Sequence, residues 1–138
     1  TSEFAVMLRY TVWLLLPQST GPAIQWQPYS DAALAQAAGR PVIIDFSADW
    51  CAPCHELEAG AFRDTEAVKL SGQFVRLRAD MTASTSKEVE TLRRHYQVRG
   101  LPAIVFIRPD GTEAADARVL SNVTGAELVR RMRQALAP

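Results

Sequence analysis

Cys51 and Cys54 are the only cysteines in this chain, and two residues separate them. An apolar β-type run, Val42-Ile43-Ile44-Asp45-Phe46-Ser47, leads into the pair, and a helical pattern, Glu56-Leu57-Glu58-Ala59, leads out. Both sulfurs therefore fall at a strand-to-helix junction. The reactive form of a cysteine is the thiolate, and an ordinary thiol loses its proton only near pH ~8.5. At a helix N-terminus, unpaired backbone N–H groups and the helix dipole stabilise that anion and let it be presented to a partner. Cys51 is placed to attack a partner disulfide, and Cys54, one turn on, to resolve the mixed disulfide that results. Pro53 is tolerated in the first helical turn, where its missing N–H is not needed.

Three other chemistries compete for the same residues. Cys51-Ala52-Pro53-Cys54-His55 matches the C-x-x-C-H haem-attachment pattern. A c-type cytochrome is built of helices around its haem, whereas here the motif follows a buried strand. A zinc site would draw on Cys51, Cys54, His55 and His95, but the adjacent Cys54 and His55 are poorly placed to share one ion. A purely structural disulfide closing so small a loop would stabilise little. Dithiol redox chemistry fits best, with no metal and no cofactor.

The surrounding elements must hold that junction. Ile24 to Tyr29 is a short strand candidate, and Ser30 can cap a helix to about Ala38, ended by Gly39 and Pro41. Val42 to Ser47 has the continuous apolar character of a strand buried on both faces. After the helix from Cys51, Asp64 can cap a second helical piece. Phe74 to Ala79 alternates as a half-buried strand, and Thr85 with Glu88 makes a capping-box pattern for the next helix. Ala103 to Ile107 is apolar. The Pro109-Asp110-Gly111 turn then predicts a hairpin with an extended segment from Thr112 to about Leu120. Thr124 and Glu127 open a last helix whose apolar face is Leu128, Val129, Met132, Ala135 and Leu136. The order βαβαβαββα predicts an α/β thioredoxin architecture, a central mixed sheet flanked by helices.

Composition sets outer bounds. Lys+Arg and Asp+Glu are both 15 in 138 residues, so no basic excess points to nucleic acid. The apolar stretch Phe4 to Leu16 is interrupted by Arg9 and falls short of the ~20 residues that span a bilayer. Residues 1–22 are expected to lie outside the fold as an apolar stub and linker. They would be the end of a transmembrane helix, a packed segment or residues left by cloning. Residues 23–138 would form the domain.

The run Asp45-Phe46-Ser47-Ala48-Asp49-Trp50-Cys51-Ala52-Pro53-Cys54 resembles the active-site signature of thioredoxin-fold proteins, and Gly100-Leu101-Pro102-Ala103 resembles their cis-proline loop. Ala48-Asp49-Trp50-Cys51, Glu56-Leu57-Glu58, Phe62-x-Asp64, Asp80-Met81-Thr82-Ala83 and Tyr96-x-Val98-x-Gly100-Leu101-Pro102 narrow the resemblance to the C-terminal periplasmic domain of the DsbD family, over roughly residues 25–138. It departs at Leu120-Ser121-Asn122-Val123, where that family commonly carries a glycine.

The resemblance implies a domain on the periplasmic side of the bacterial inner membrane. It would be reduced by a membrane-embedded domain and would pass electrons to an N-terminal periplasmic domain of the same protein. A free-standing secreted thioredoxin-like reductase, for instance for cytochrome c maturation, and a thioredoxin-fold binding or chaperone module are the alternatives. Asp45, a carboxylate in an apolar strand, would be desolvated with its pKa raised. It matches the family's buried acid, which would exchange a proton with Cys54. Glu58, one turn beyond Cys54, matches an acid that would hold the cysteine pKa up. Trp50 would flank the docking surface. A cis Pro102 would set the backbone of Leu101 opposite Cys51 to pair with an extended partner segment. His55 and His95 are expected to be surface polar residues.

Overall fold

The computed structural model describes residues 22–138; the expectations for residues 1–21 lie outside the described residues. The elements are β1 (Gln27–Pro28), α1 (Asp31–Gln36), β2 (Val42–Ser47), α2 (Ala52–Ala59), α3 (Thr65–Ser71), β3 (Val75–Asp80), α4 (Lys87–Tyr96), β4 (Ala103–Ile107) and α5 (Gly125–Leu136). The four strands form one sheet in the order β1-β3-β2-β4. β1 and β2 both run parallel to β3, as helix crossovers require, and β4 lies antiparallel to β2.

β2 is the central strand that ends at the cysteines, and all six of its residues are buried. Its alternation splits the core in two. Ile43 joins Leu57, Phe62, Phe74, Ile104, Phe106, Leu128 and Met132 on one face. Ile44 and Phe46 join Leu77, Val89, Tyr96, Val105 and both cysteines on the other. α2 contributes Leu57 to the first cluster and Cys54 to the second, so the helix that carries the pair is anchored from both sides.

The expected caps at Ser30, Asp64 and Thr124 are formed, each side chain accepting a backbone N–H of the helix it opens. The cap of α4 is one residue later than the Thr85–Glu88 pattern predicts. Ser86 has the extended backbone, and its Oγ accepts the N–H of Val89 at 3.2 Å. The first strand is also shorter than Ile24 to Tyr29. Only Gln27 and Pro28 pair with β3, while Ile24 instead donates to the carbonyl of Phe62.

The largest difference is the hairpin. The segment after the Asp110-Gly111 turn is no strand; its β-type pairing with β4 is limited to the isolated pairs Ile107–Glu113 and Ile104–Val119. Between them the run Glu113-Ala114-Ala115-Asp116-Ala117 winds into a 3-10 turn at Ala115–Ala117. Alanine and aspartate fit a pleated surface poorly, and here Ala114 and Ala117 are fully buried. Arg118 fixes the detour, reaching Glu113 and the carbonyls of Tyr96 and Gln97.

Candidate active site

Ala48, Asp49 and Trp50 carry the chain from β2 to α2, and Cys51 is the N-cap of that helix. Its sulfur accepts the N–H of Cys54 at 3.3 Å, the kind of contact that would stabilise a thiolate. The two cysteines are joined as a disulfide, with Cα atoms 5.3 Å apart. Cys51 is only 4% exposed and Cys54 2%, so the nucleophile is less open than a freely presented thiol. A partner must seat closely around Cys51 to reach it.

Trp50 stands beside that opening, 60% exposed, on the surface and not in the core. Its indole N–H donates to the carbonyl of Thr82 at 3.1 Å, and the Thr82 hydroxyl accepts the N–H of Asp49 at 2.9 Å. Thr82 is itself held by Asp80, whose carboxylate is pulled below its ordinary pKa by the hydroxyl and N–H of Thr82. The Asp80-Met81-Thr82 segment is thus the brace of the tryptophan loop, a role its sequence alone did not disclose.

The Leu101–Pro102 peptide bond is cis. Among the described residues, neither the N–H nor the carbonyl of Leu101 has a hydrogen-bond partner. Trp50, Met81, Val89, Val98, Gly100 and Leu101 line an apolar cleft of about 190 Å³ between the tryptophan and this loop. Leu120 is 64% exposed on the departing Leu120–Val123 segment, and Asn122 ties that segment to α2 through Glu56 at 3.2 Å.

Asp45 is 2% exposed on β2, on the same strand face as Ile43, whose cluster includes Leu57 of α2. Its in-register neighbours are Arg78 on β3 and Ile104 on β4. Burial is the largest effect on its carboxyl and raises its pKa to about 6, against the opposing pull of the Arg78 guanidinium. Arg78 Nε donates to Asp45 Oδ2 at 2.9 Å, and its Nη2 lies 3.4 Å from Glu58 Oε1. His55 completes the chain of contacts. Its Nδ1 is 3.4 Å from Glu58 and its Nε2 donates to the carbonyl of Asp49 at 2.7 Å, which, with Glu58, raises its pKa. Asp45 and Glu58 are thus brought together, but through Arg78, which the alternating pattern of the strand presented merely as a half-exposed residue. The signal was a basic residue in a strand destined to lie beside a buried acid. His95 stacks edge-on against Tyr96, remote from this cluster. The described residues hold no group of three or more His, Cys, Asp or Glu side chains placed for a metal ion.

The shift of Asp45 has a consequence for stability. The folded carboxyl keeps its proton up to about pH 6, the unfolded one only to 3.8. The folded state therefore binds more protons between these values and loses stability as pH rises through them. Two pKa units amount to about 3 kcal/mol at neutral pH. Asp45→Asn should be more stable than the parent by about 1–3 kcal/mol at pH 8, the lost contact to Arg78 offsetting part of the gain. The difference should shrink toward pH 4. Urea unfolding at pH 4, 6 and 8 reads this directly; a variant no more stable than the parent at pH 8 would refute it.

A family model described as Thioredoxin-like matches residues 25–109. The chain belongs to the thioredoxin-like family. Within it, the thiol:disulfide interchange protein DsbD of Salmonella typhi is 46% identical over 87 residues, 63% of this chain and 15% of that protein. DsbD of Yersinia pestis (strain Pestoides F) is 36% identical over 105 residues, 76% of this chain and 18% of that protein. The oxidised C-terminal domain of Neisseria meningitidis DsbD superimposes with a TM-score of 0.65 at 26% identity, over 79% of this chain and 99% of that domain. The chain thus spans less than a fifth of the length of the curated relatives it matches. As a thioredoxin-like domain with a C-x-x-C pair capping a helix, it carries the site of a disulfide oxidoreductase.

Proposed function

We propose that this domain relays reducing equivalents by dithiol–disulfide exchange, taking them from a membrane-embedded domain and passing them to periplasmic partner proteins. The observation that carries the reading is the cysteine pair at the start of α2, with Cys51 as its N-cap and the cis-proline loop across the adjoining cleft. The similarity to DsbD supports the direction of flow and a place on the periplasmic side of the inner membrane. Among the described residues no helix is long and apolar enough to cross a membrane, so the reducing domain would be a separate part or partner.

In the forward step the Cys51 thiolate attacks one sulfur of the partner disulfide, and the other partner sulfur leaves as a thiolate. Cys54 then loses its proton, with Asp45 as acceptor, and attacks Cys51 Sγ. The second partner sulfur departs, and the chain is left as the disulfide seen in the structure. Trp50 and the cleft beside it would receive apolar side chains of the partner. The free backbone of Leu101 would pair with an extended segment next to the partner cysteine. The negative charge of Glu58 would disfavour the thiolate and so limit premature reaction.

Equilibration with defined ratios of reduced and oxidised glutathione or dithiothreitol, with the two redox forms counted by thiol alkylation, gives the midpoint potential. A relay of reductant requires a value well below about −180 mV. A value near about −120 mV, that of a strong oxidant, would overturn the direction of flow.

A further inference from the structure

The apolar cleft beside Trp50 has a charged side. Met81, Val89 and Val98, each less than a tenth exposed, are its buried apolar lining. Arg93 and Arg99 also line it, and no carboxylate does. Arg93 lies in the last turn of α4 and Arg99 in the loop that leads to the cis peptide bond. Among the described residues Arg93 meets one carboxylate, Glu90, which also takes Arg94 at 3.2 Å. Arg99 is exposed and pairs with no carboxylate of the described residues. Three cations thus stand against one carboxylate at this edge of the site, in a chain of zero formal net charge. Arg99 is not needed to close the helix either. The carbonyls of Arg93 and Arg94 take the N–H groups of Val98 and Gln97, and Arg118 takes that of Tyr96.

We infer that this rim selects the partner: the segment that docks is an extended peptide with a carboxylate close to its cysteine, and Arg99, supported by Arg93, is the specificity residue that receives it. The inference rests on the exchange function proposed above and states what kind of partner that function serves. The free N–H and carbonyl of Leu101 favour a polypeptide backbone as the occupant. Arg99 precedes Leu101 by two residues, at most about 7 Å of chain, so a carboxylate near the paired position falls within reach of its long side chain. An arginine lines apolar surface with its stem and keeps its charge in water, where its planar fork matches a carboxylate. At such a solvated rim the charge acts mainly on the rate of encounter and on rejection of the wrong partner; a basic segment meets like charge.

The test uses the fully reduced chain and the symmetrical disulfides of three short peptides. Each has leucine before its cysteine, and they differ only two residues after it, where they carry glutamate, glutamine or lysine. Cys51 attacks one peptide sulfur and the other peptide leaves as a thiolate. Cys54 then attacks Cys51 Sγ, which closes the intrachain disulfide and releases the second peptide thiol. Stopped-flow fluorescence follows the reaction, and each rate is divided by that of the same peptide with dithiothreitol, which removes the peptides' own reactivity. The parent should favour the acidic over the basic peptide by about fivefold or more at low salt. Arg99→Gln should lower that ratio severalfold, Arg93→Gln should lower it less, and Arg99→Glu should bring it to about one or below. Raising salt from about 20 mM to about 500 mM should move the parental ratio toward one. Arg130→Gln, on the remote α5, should keep the parental ratio.

An Arg99 that merely supports the loop would change the rates of all three peptides alike and leave their ratio alone. A parental ratio near one, or a ratio that Arg99→Glu leaves unchanged, overturns the inference. So does a reduced chain that sediments as a dimer and reacts alike with the three peptides, which would give the cleft to a second copy. If Arg99→Glu does not fold, Arg99→Gln and the salt dependence decide it. A parent that forms no intrachain disulfide with any of the peptides would instead overturn the exchange function itself.

Discussion

Replacing Cys54 by alanine is expected to turn the domain into a trap that stays covalently attached to its partners through Cys51. The first attack needs only Cys51, the N-cap whose sulfur meets the helix N–H groups. Release needs Cys54, held one turn away with its Cα 5.3 Å from that of Cys51. Such a fixed neighbour acts at a very high effective concentration, so its loss should slow release by at least about a thousandfold. The converse variant, Cys51→Ala, should form essentially no complexes, because Cys54 is 2% exposed and lies inside the first turn. Non-reducing gels followed by mass spectrometry of the linked peptides would show which sulfur is bonded. Equal trapping through Cys54 would reverse the assignment of nucleophile and resolving thiol.

Phe106→Ala is expected to cause the greatest loss of stability among changes that leave the active site untouched. Phe106 is fully buried on β4 beside Ile43 of the central strand, and its ring centre lies 5.9 Å from that of Phe74. Truncation removes apolar burial and opens a cavity in the cluster that Phe106 shares with Phe74, Leu128 and Met132, at a cost of about 3–5 kcal/mol. Against a total of about 5–15 kcal/mol, that is a fifth or more of what holds a domain together. Calorimetry should record a fall in Tm of about 10–20 °C. The fraction still folded at low temperature should exchange disulfides as the parent does. A fall of only a few degrees would mean the core collapses around the gap.

Much of this was legible in the sequence because single residues carried it. The apolar run Val42 to Ser47 announced a strand buried on both faces, and its one charge, Asp45, announced a desolvated acid. Cys51-x-x-Cys54 pointed to the helix start, and Gly100-Leu101-Pro102 before β4 to the cis peptide bond, that the structure has. What stayed hidden depends on which strands become neighbours. Arg78 looked like one solvated member of an alternating strand until the β2–β3 register set it opposite Asp45. Thr82 looked like loop until Trp50 and Asp49 were found bonded to it. The missing hairpin strand had a local cause that the turn signal outweighed: Ala114-Ala115-Asp116-Ala117 fits a pleated strand poorly and winds, and Arg118 after it holds the carbonyls of Tyr96 and Gln97. With Thr85 and Ser86 adjacent, residue type could not choose between two good caps; backbone geometry chose Ser86.

The central claim is that Cys51 and Cys54 act together as a two-electron dithiol. Mixing the fully reduced parent chain with a small peptide disulfide and weighing all products by mass spectrometry tests it most directly. The account predicts a chain lighter by a pair of hydrogens, carrying the Cys51–Cys54 disulfide, with both halves of the peptide released as thiols. A chain of unchanged mass, or one that keeps a peptide half permanently attached, would contradict it.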